Sequence, residues 1–104
     1  MKAPLKGHAY WMIASVCMQQ NRYSDANKSI RTALPYLKDN RQLLSTALFY
    51  LGWANYQLGN LSDAVRFNRQ CALVKGPYQA QASRSVQVIG AQVDALNRNR
   101  GLVQ

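Results

Sequence analysis

The chain has 104 residues, of which 48% are hydrophobic and 16% charged, a balance typical of one folded domain rather than of a disordered segment. No apolar run approaches the roughly 18–20 residues needed to cross a bilayer, and the first residues lack the apolar core of a secretory signal. The net charge is +9 and is spread along the chain, which favours a solvated basic surface over a dedicated anion-binding block. We expect a cytoplasmic location by default, and export stays open because a piece of a longer exported protein would look the same.

Helical periodicity predicts five helices in chain order. They cover about residues 5–20, 24–37, 41–58, 61–75 and 78–97. The second helix ends within the segment PYLKDN (residues 35–40), in which Asn40 is the expected N-cap of the third helix. Gly76 and Pro77 are expected to end the fourth helix, because proline disfavours helical backbone in the residue before it.

The chain matches itself when it is shifted by 38 residues. The sequence SDA at residues 24–26 recurs at residues 62–64, and Ala14 aligns with Gly52, which aligns with Gly90 on a second shift. Large apolar residues mostly align with large apolar residues, and small residues with small ones. Agreement of this kind indicates a protein built from helical repeats.

Small residues predict close contacts between paired helices. Ala14, Gly52 and Gly90 would form a notch on the first helix of each pair, and Ala26 and Ala64 on the second helix would face it. Glycine costs roughly 0.5–1 kcal/mol relative to alanine inside a helix. We expect the dispersion attraction between closely approaching helices to offset that cost.

The turns between paired helices carry residues that tolerate left-handed backbone. We predict this conformation for Gly59 and, by alignment, for Asn21 and Asn97. The serine and aspartate of each SDA segment then lie at the start of the next helix, where they can cap free N–H groups and complement the helix dipole. Capping is therefore a better interpretation of these aspartates than catalysis.

The second unit resembles a tetratricopeptide repeat. The resemblance is carried by Leu51-Gly52, Tyr56, Gly59, Leu61, Ala64, Cys71-Ala72 and Pro77. It implies an all-α fold, an α-solenoid of antiparallel helix hairpins, as a single domain spanning residues 1–104. Two repeats are expected at about residues 5–38 and 41–76, followed by a C-terminal capping helix at about 78–97. The family period is about 34 residues, so about four extra residues are placed around residues 35–40. The inner stripe of the capping helix would be Ala82, Val86, Ile89, Val93 and Leu96.

In this family the binding surface is the concave face formed by the first helix of each pair. Members that bind the carboxylate end of chaperone tails carry Lys, Asn and Arg there, whereas the matching positions here are aromatic or small, so chaperone-tail binding is not expected. The face instead carries Trp11, Met18, Phe49, Trp53 and Tyr56. Aromatic residues and methionine are enriched at interface centres, so we predict that this set binds an apolar peptide or helix of a partner protein. For Trp11 and Phe49, packing between neighbouring helices is an equally good interpretation.

Catalysis is not expected from the side chains present. His8 is the only histidine and glutamate is absent, which removes the commonest base and paired-carboxylate arrangements. Cys17 and Cys71 lie in apolar helical segments and are interpreted as core residues rather than as a disulfide or metal site. We therefore expect no enzyme activity, no cofactor and no metal.

The prediction is a non-catalytic protein–protein interaction scaffold, with self-association as a further way to cover the aromatic face. Nucleic-acid binding is the alternative, because related helical arrays read single-stranded RNA and the chain is basic. Two observations argue against this alternative. Two full repeats would contact only a short stretch of RNA, and basic residues of the second helices such as Arg31 and Arg66 lie off the concave face.

Overall fold

The computed structural model describes residues 3–103, and the side chains of residues 7–100. The described residues form five α-helices and no strand, which confirms the all-α class. The helices are α1 (Ala3–Gln19), α2 (Tyr23–Leu37), α3 (Arg41–Gln57), α4 (Leu61–Ala72) and α5 (Gln79–Val103). Each helix packs against the next one in the chain, and α1 makes a smaller contact with α3. This part of the chain measures 54 × 27 × 20 Å, and none of its helices has both the length and the hydrophobicity needed to cross a bilayer.

The first three helices match the predicted bounds closely, and the last two do not. Helix α4 ends at Ala72, earlier than expected, and Leu73, its C-cap, is 85% exposed. Helix α5 continues beyond Asn97 to Val103. The residues after Asn97 contain no proline, and Arg100 in the last turn complements the negative end of the helix.

The turn predictions are confirmed at two of three positions. Asn21 has φ 58° and Gly59 has φ 81°, so both adopt the left-handed backbone that ends α1 and α3. Asn97 was predicted to do the same and does not, because it lies inside α5. Asn40 is the N-cap of α3, as predicted, and its Oδ1 accepts a hydrogen bond from the Leu43 N–H at 3.2 Å.

The predicted serine caps are wrong. Arg22 and Asn60 occupy the N-cap positions of α2 and α4, and neither caps the helix with its side chain. The serines lie within the first turn, one residue before an aspartate. Asp25 pairs with Arg22 at 2.6 Å, and Asp63 pairs with Arg66 at 3.2 Å. The aspartates therefore lie where the helix dipole favours them and also form exposed ion pairs.

The core lies between consecutive helices and uses mainly small and medium-sized residues. Its fully buried members include Ala14, Ala26, Ile30, Ala33, Ala47, Leu51 and Cys71. Cys17 and Cys71 are both buried and form no disulfide, which confirms their assignment to the core. The stripe predicted for α5 holds for Ala82 and Ile89, which are buried, whereas Leu96 is 50% exposed and was assigned wrongly. Half-buried Val86 and Val93 complete the contact with α4.

The predicted close contact between helices is confirmed at Gly52, although with a different facing residue, and is wrong at Gly90. A Cβ atom added to Gly52 would overlap the side-chain amide of Asn68, so the residue facing the notch is Asn68 rather than Ala64. A Cβ added to Gly90 would meet nothing within 4 Å. Gly90 lies on α5, and no described helix follows α5 to press against it.

A buried polar network links α2, α3 and the turn after α3. Asn55 is 1% exposed, and its Nδ2 donates to Leu51 O at 2.8 Å and to Asn27 Oδ1 at 3.0 Å. Its Oδ1 accepts from Asn60 Nδ2 at 3.3 Å. The amide is fully hydrogen-bonded, as a buried polar group must be to avoid a net cost.

Candidate functional site

A groove of about 720 Å³ runs between α3 and α5, with α4 contributing Asn68 to its wall. We refer to it as the α3–α5 groove. Its described lining comprises Phe49, Tyr50, Gly52, Trp53, Tyr56, Gln57, Asn68, Tyr78, Gln81, Arg84, Ser85, Val88 and Ile89. Phe49, Trp53 and Tyr56 are spaced by four and three residues, so α3 presents them on one face. Helix α5 presents Gln81, Arg84, Ser85 and Val88 on the opposite side by the same spacing rule.

The aromatic residues of α3 differ in how firmly they are held. Phe49 is half-buried, because its ring stacks on Tyr78 with centroids 4.5 Å apart and planes within 7°. Trp53 meets the edge of Phe49 at 6.4 Å, yet 49% of its surface is exposed. Tyr56 is 38% exposed. Phe49 is thus packed against Tyr78, whereas Trp53 and Tyr56 leave apolar surface exposed in the groove.

Helix α5 supplies the charged side chain of the groove and a hydrogen bond to Tyr56. The Tyr56 hydroxyl accepts a hydrogen bond from Gln92 Nε2 at 3.4 Å, which links α3 to α5. Arg84 is the one charged side chain in the described lining. Within residues 7–100, no acidic side chain lies within 4 Å of its guanidinium group, and the ion pairs there use Arg22, Arg31 and Arg66.

Asn68 is a polar residue at a core position beside the groove. It is 2% exposed, and its Nδ2 donates to Ala64 O at 2.8 Å, which fixes the orientation of the amide. Its Oδ1 is enclosed and has no hydrogen-bond partner in the described structure. Sequence reasoning did not single out Asn68, although the 38-residue shift aligns it with the buried Ile30 and so marks a polar residue in an apolar register.

The five predicted partner-binding residues do not all line one groove. Phe49, Trp53 and Tyr56 come together in the α3–α5 groove, whereas Met18 lines a smaller groove of about 260 Å³ in which Trp53 also takes part. Trp11 stacks on Tyr50, with centroids 5.5 Å apart and planes 20° apart, and is not among the described lining residues of either groove. The alternative interpretation for Trp11 and Phe49 is packing between neighbouring helices. The geometry of Trp11 agrees with it, and that of Phe49 agrees in part, because Phe49 stacks on Tyr78 and also lines the groove.

Two tyrosines of the site were missed. Tyr50 lines both grooves, and Tyr78 stacks on Phe49 and lies 6.3 Å from the Tyr50 ring. Burial raises the pKa of the Tyr50 phenol, and its neighbour Tyr78 raises it further through charge and hydrogen bonding. Tyr50 directly follows Phe49 in the sequence, and Tyr78 lies in the turn before α5, one residue ahead of the helix.

The described lining of the groove offers aromatic rings, one guanidinium group, the amides of Gln57, Gln81 and Asn68, and the hydroxyl of Ser85. His8 is exposed on α1, and the Cys71 thiol is buried with a pKa raised by that burial, against the opposing effect of its hydrogen bond to Ser45. No group of three potential metal ligands occurs among the residues that the structure describes.

Comparisons with models of protein families, with curated proteins and with solved structures found no match. The tetratricopeptide resemblance therefore rests on this chain's own residues.

Proposed function

We propose that this protein is a non-catalytic interaction module that binds a segment of a partner protein in the α3–α5 groove. The observation that carries the proposal is the half-exposed Trp53, which lies beside Tyr56 in a groove of about 720 Å³. Large aromatic side chains are usually well buried, and tryptophan and tyrosine are enriched among residues that dominate binding energy. A volume of this size lies within the usual range of ligand-binding clefts.

The proposal includes a tetratricopeptide-like array of helix hairpins. It is supported by the 38-residue self-match, by packing between consecutive helices, and by the left-handed turns at equivalent positions Asn21 and Gly59. In such an array the first helix of each pair lines the binding face, and α3 holds that place in the second unit. The exposed aromatic residues of α3 are consistent with this assignment.

The test is capture of partners from the native source by three purified proteins. These are the wild type, the double variant Trp53→Ala with Tyr56→Ala, and a control, Leu73→Ala, which removes an 85% exposed apolar residue outside the α3–α5 groove. Each capture is repeated after nuclease treatment, and any captured protein is retested in purified form. We expect the wild type and control to retain a protein that the double variant loses, with unchanged helical circular dichroism in all three.

Two results would contradict the proposal. If the double variant unfolds, Trp53 and Tyr56 belong to the core and not to a binding face. If nuclease removes all capture, the net charge of +9 acts on nucleic acid and the alternative function is the better one.

A further inference from the structure

We infer that the α3–α5 groove selects an acidic peptide segment, with a carboxylate bound by Arg84 and a neighbouring apolar side chain resting on Trp53. This inference rests on the proposed function and names the chemical class of its partner.

The charge of the groove favours an acidic ligand. Its described lining contains one cation, Arg84, and no acidic residue. The aspartates that neutralise arginines elsewhere in the described structure lie on α2 and α4, where Asp25 pairs with Arg22 and Asp63 with Arg31 and Arg66. Arg84 therefore has a guanidinium group free to form a bidentate pair with a ligand carboxylate. The net charge of +9 attracts such a ligand from a distance.

The cationic and apolar parts of the groove are adjacent. Arg84 and Val88 are four residues apart on α5 and so share one face. Both line the same groove as Trp53 and Tyr56 from α3. A ligand that pairs with Arg84 thus has exposed apolar surface beside it, which a phenylalanine or leucine next to the acidic residue would cover. Recognition then requires both chemical groups, close together in one peptide.

A nucleic acid fits this groove less well than a peptide. A protein that binds the sugar–phosphate backbone of a nucleic acid gains affinity from several cations arranged along successive phosphates. The described lining of the groove contains one cation, Arg84. Arg31 and Arg66 are not part of the groove. They share Asp63, and each guanidinium group lies 4.9 Å from the centre of the Phe67 ring.

The experiment measures binding of four labelled probes by fluorescence anisotropy. Three are peptides of equal length with a central phenylalanine, flanked on both sides by aspartates, by asparagines or by lysines. The fourth is a single-stranded oligonucleotide that carries the same label. The proteins are the wild type, Arg84→Gln, Trp53→Ala, and Arg98→Gln as a control that removes the same charge from an exposed site on α5 outside the groove.

We expect the wild type to bind the aspartate peptide about tenfold more tightly than the asparagine peptide, and to bind the lysine peptide least. Arg84→Gln should abolish the preference for the aspartate peptide, whereas Arg98→Gln should keep it. Trp53→Ala should weaken the binding of both the aspartate and the asparagine peptides. Equal binding of these two peptides, equal effects of the two arginine variants, or tighter binding of the oligonucleotide would each overturn the inference. Trp53-dependent capture of a partner without an acidic preference would leave the proposed function standing, so the two failures are distinguishable.

Discussion

At the scale of single residues, Gly52 determines how closely α3 and α4 approach. Any side chain there would overlap the amide of Asn68, which cannot move easily because its Nδ2 is hydrogen-bonded to Ala64 O. Gly90 has the same place in the sequence repeat and no atoms near its missing Cβ. The two glycines therefore form a matched pair for separating close packing from helix propensity.

We predict opposite effects for alanine at these two positions. Gly52→Ala should lower the free energy of unfolding by about 1–3 kcal/mol, because a well-packed contact must open. Gly90→Ala should raise it by about 0.5–1 kcal/mol through helix propensity alone. Chemical denaturation followed by circular dichroism measures both values. A stabilising Gly52→Ala would show that the contact between α3 and α4 yields easily and that Gly52 is not required for close packing.

Tyr50 gives a prediction about alkaline pH. Because burial raises its pKa above the ordinary value of about 10, the folded state favours the neutral phenol. The stability that comes from this shift is complete below the unfolded pKa and is lost as the pH rises through the folded pKa. Between about pH 9 and about pH 11, the wild type should therefore lose more stability than Tyr50→Phe in parallel urea titrations. Identical pH profiles would show that the Tyr50 phenol is solvated.

The residues that could be predicted are those for which few alternatives exist. Glycine and asparagine adopt left-handed backbone more readily than most residues, so Asn21 and Gly59 were identifiable from their place between helices. Asn68 and Tyr78 were not identified, because their positions depend on which helix faces which. Which helices face each other is a property of the packed structure, and the 38-residue repeat of the sequence does not predict it.

At the scale of helices, the buried amide of Asn55 joins α3 to α2 and to the turn that leads into α4. Asn55→Ala should lower the free energy of unfolding by about 1–3 kcal/mol, because Asn60 loses its acceptor and a cavity replaces the amide. The exposed Asn97→Ala on α5 is the control and should change stability little or raise it slightly. Thermal unfolding of the two variants side by side tests the difference. Equal midpoints would mean that water replaces the lost hydrogen bonds at little cost.

Helix ends show where sequence reasoning reaches its limit. The start of α3 was predictable, because Asn40 supplies a capping oxygen to the Leu43 N–H. The end of α5 was not, because the repeat pattern fades after Asn97 while the residues that follow are still acceptable in a helix. The end of the apolar repeat pattern shows where the helix stops packing against its neighbour. The backbone hydrogen bonds of the helix do not depend on that packing and can continue beyond it.

At the scale of the whole molecule, a charge of +9 is carried on an elongated body of 54 × 27 × 20 Å. The described ion pairs engage only Arg22, Arg31 and Arg66, so many cations remain to attract polyanions. Those cations are not gathered in the α3–α5 groove, which holds one. The molecule should therefore bind nucleic acid through its general charge while it selects peptides through its groove.

This separation gives the last prediction. Oligonucleotide binding should be weak, independent of base sequence, and lost steeply as salt rises, because it depends on the release of counterions from phosphates. Arg84→Gln and Arg98→Gln should weaken it equally, since each removes one positive charge. Binding of an apolar acidic peptide should fall less steeply with salt, because part of its affinity comes from apolar contact with Trp53. Anisotropy titrations over a salt series measure both slopes. Tight, base-selective binding at physiological salt, with Arg84 more important than Arg98, would instead make the groove a nucleic-acid site.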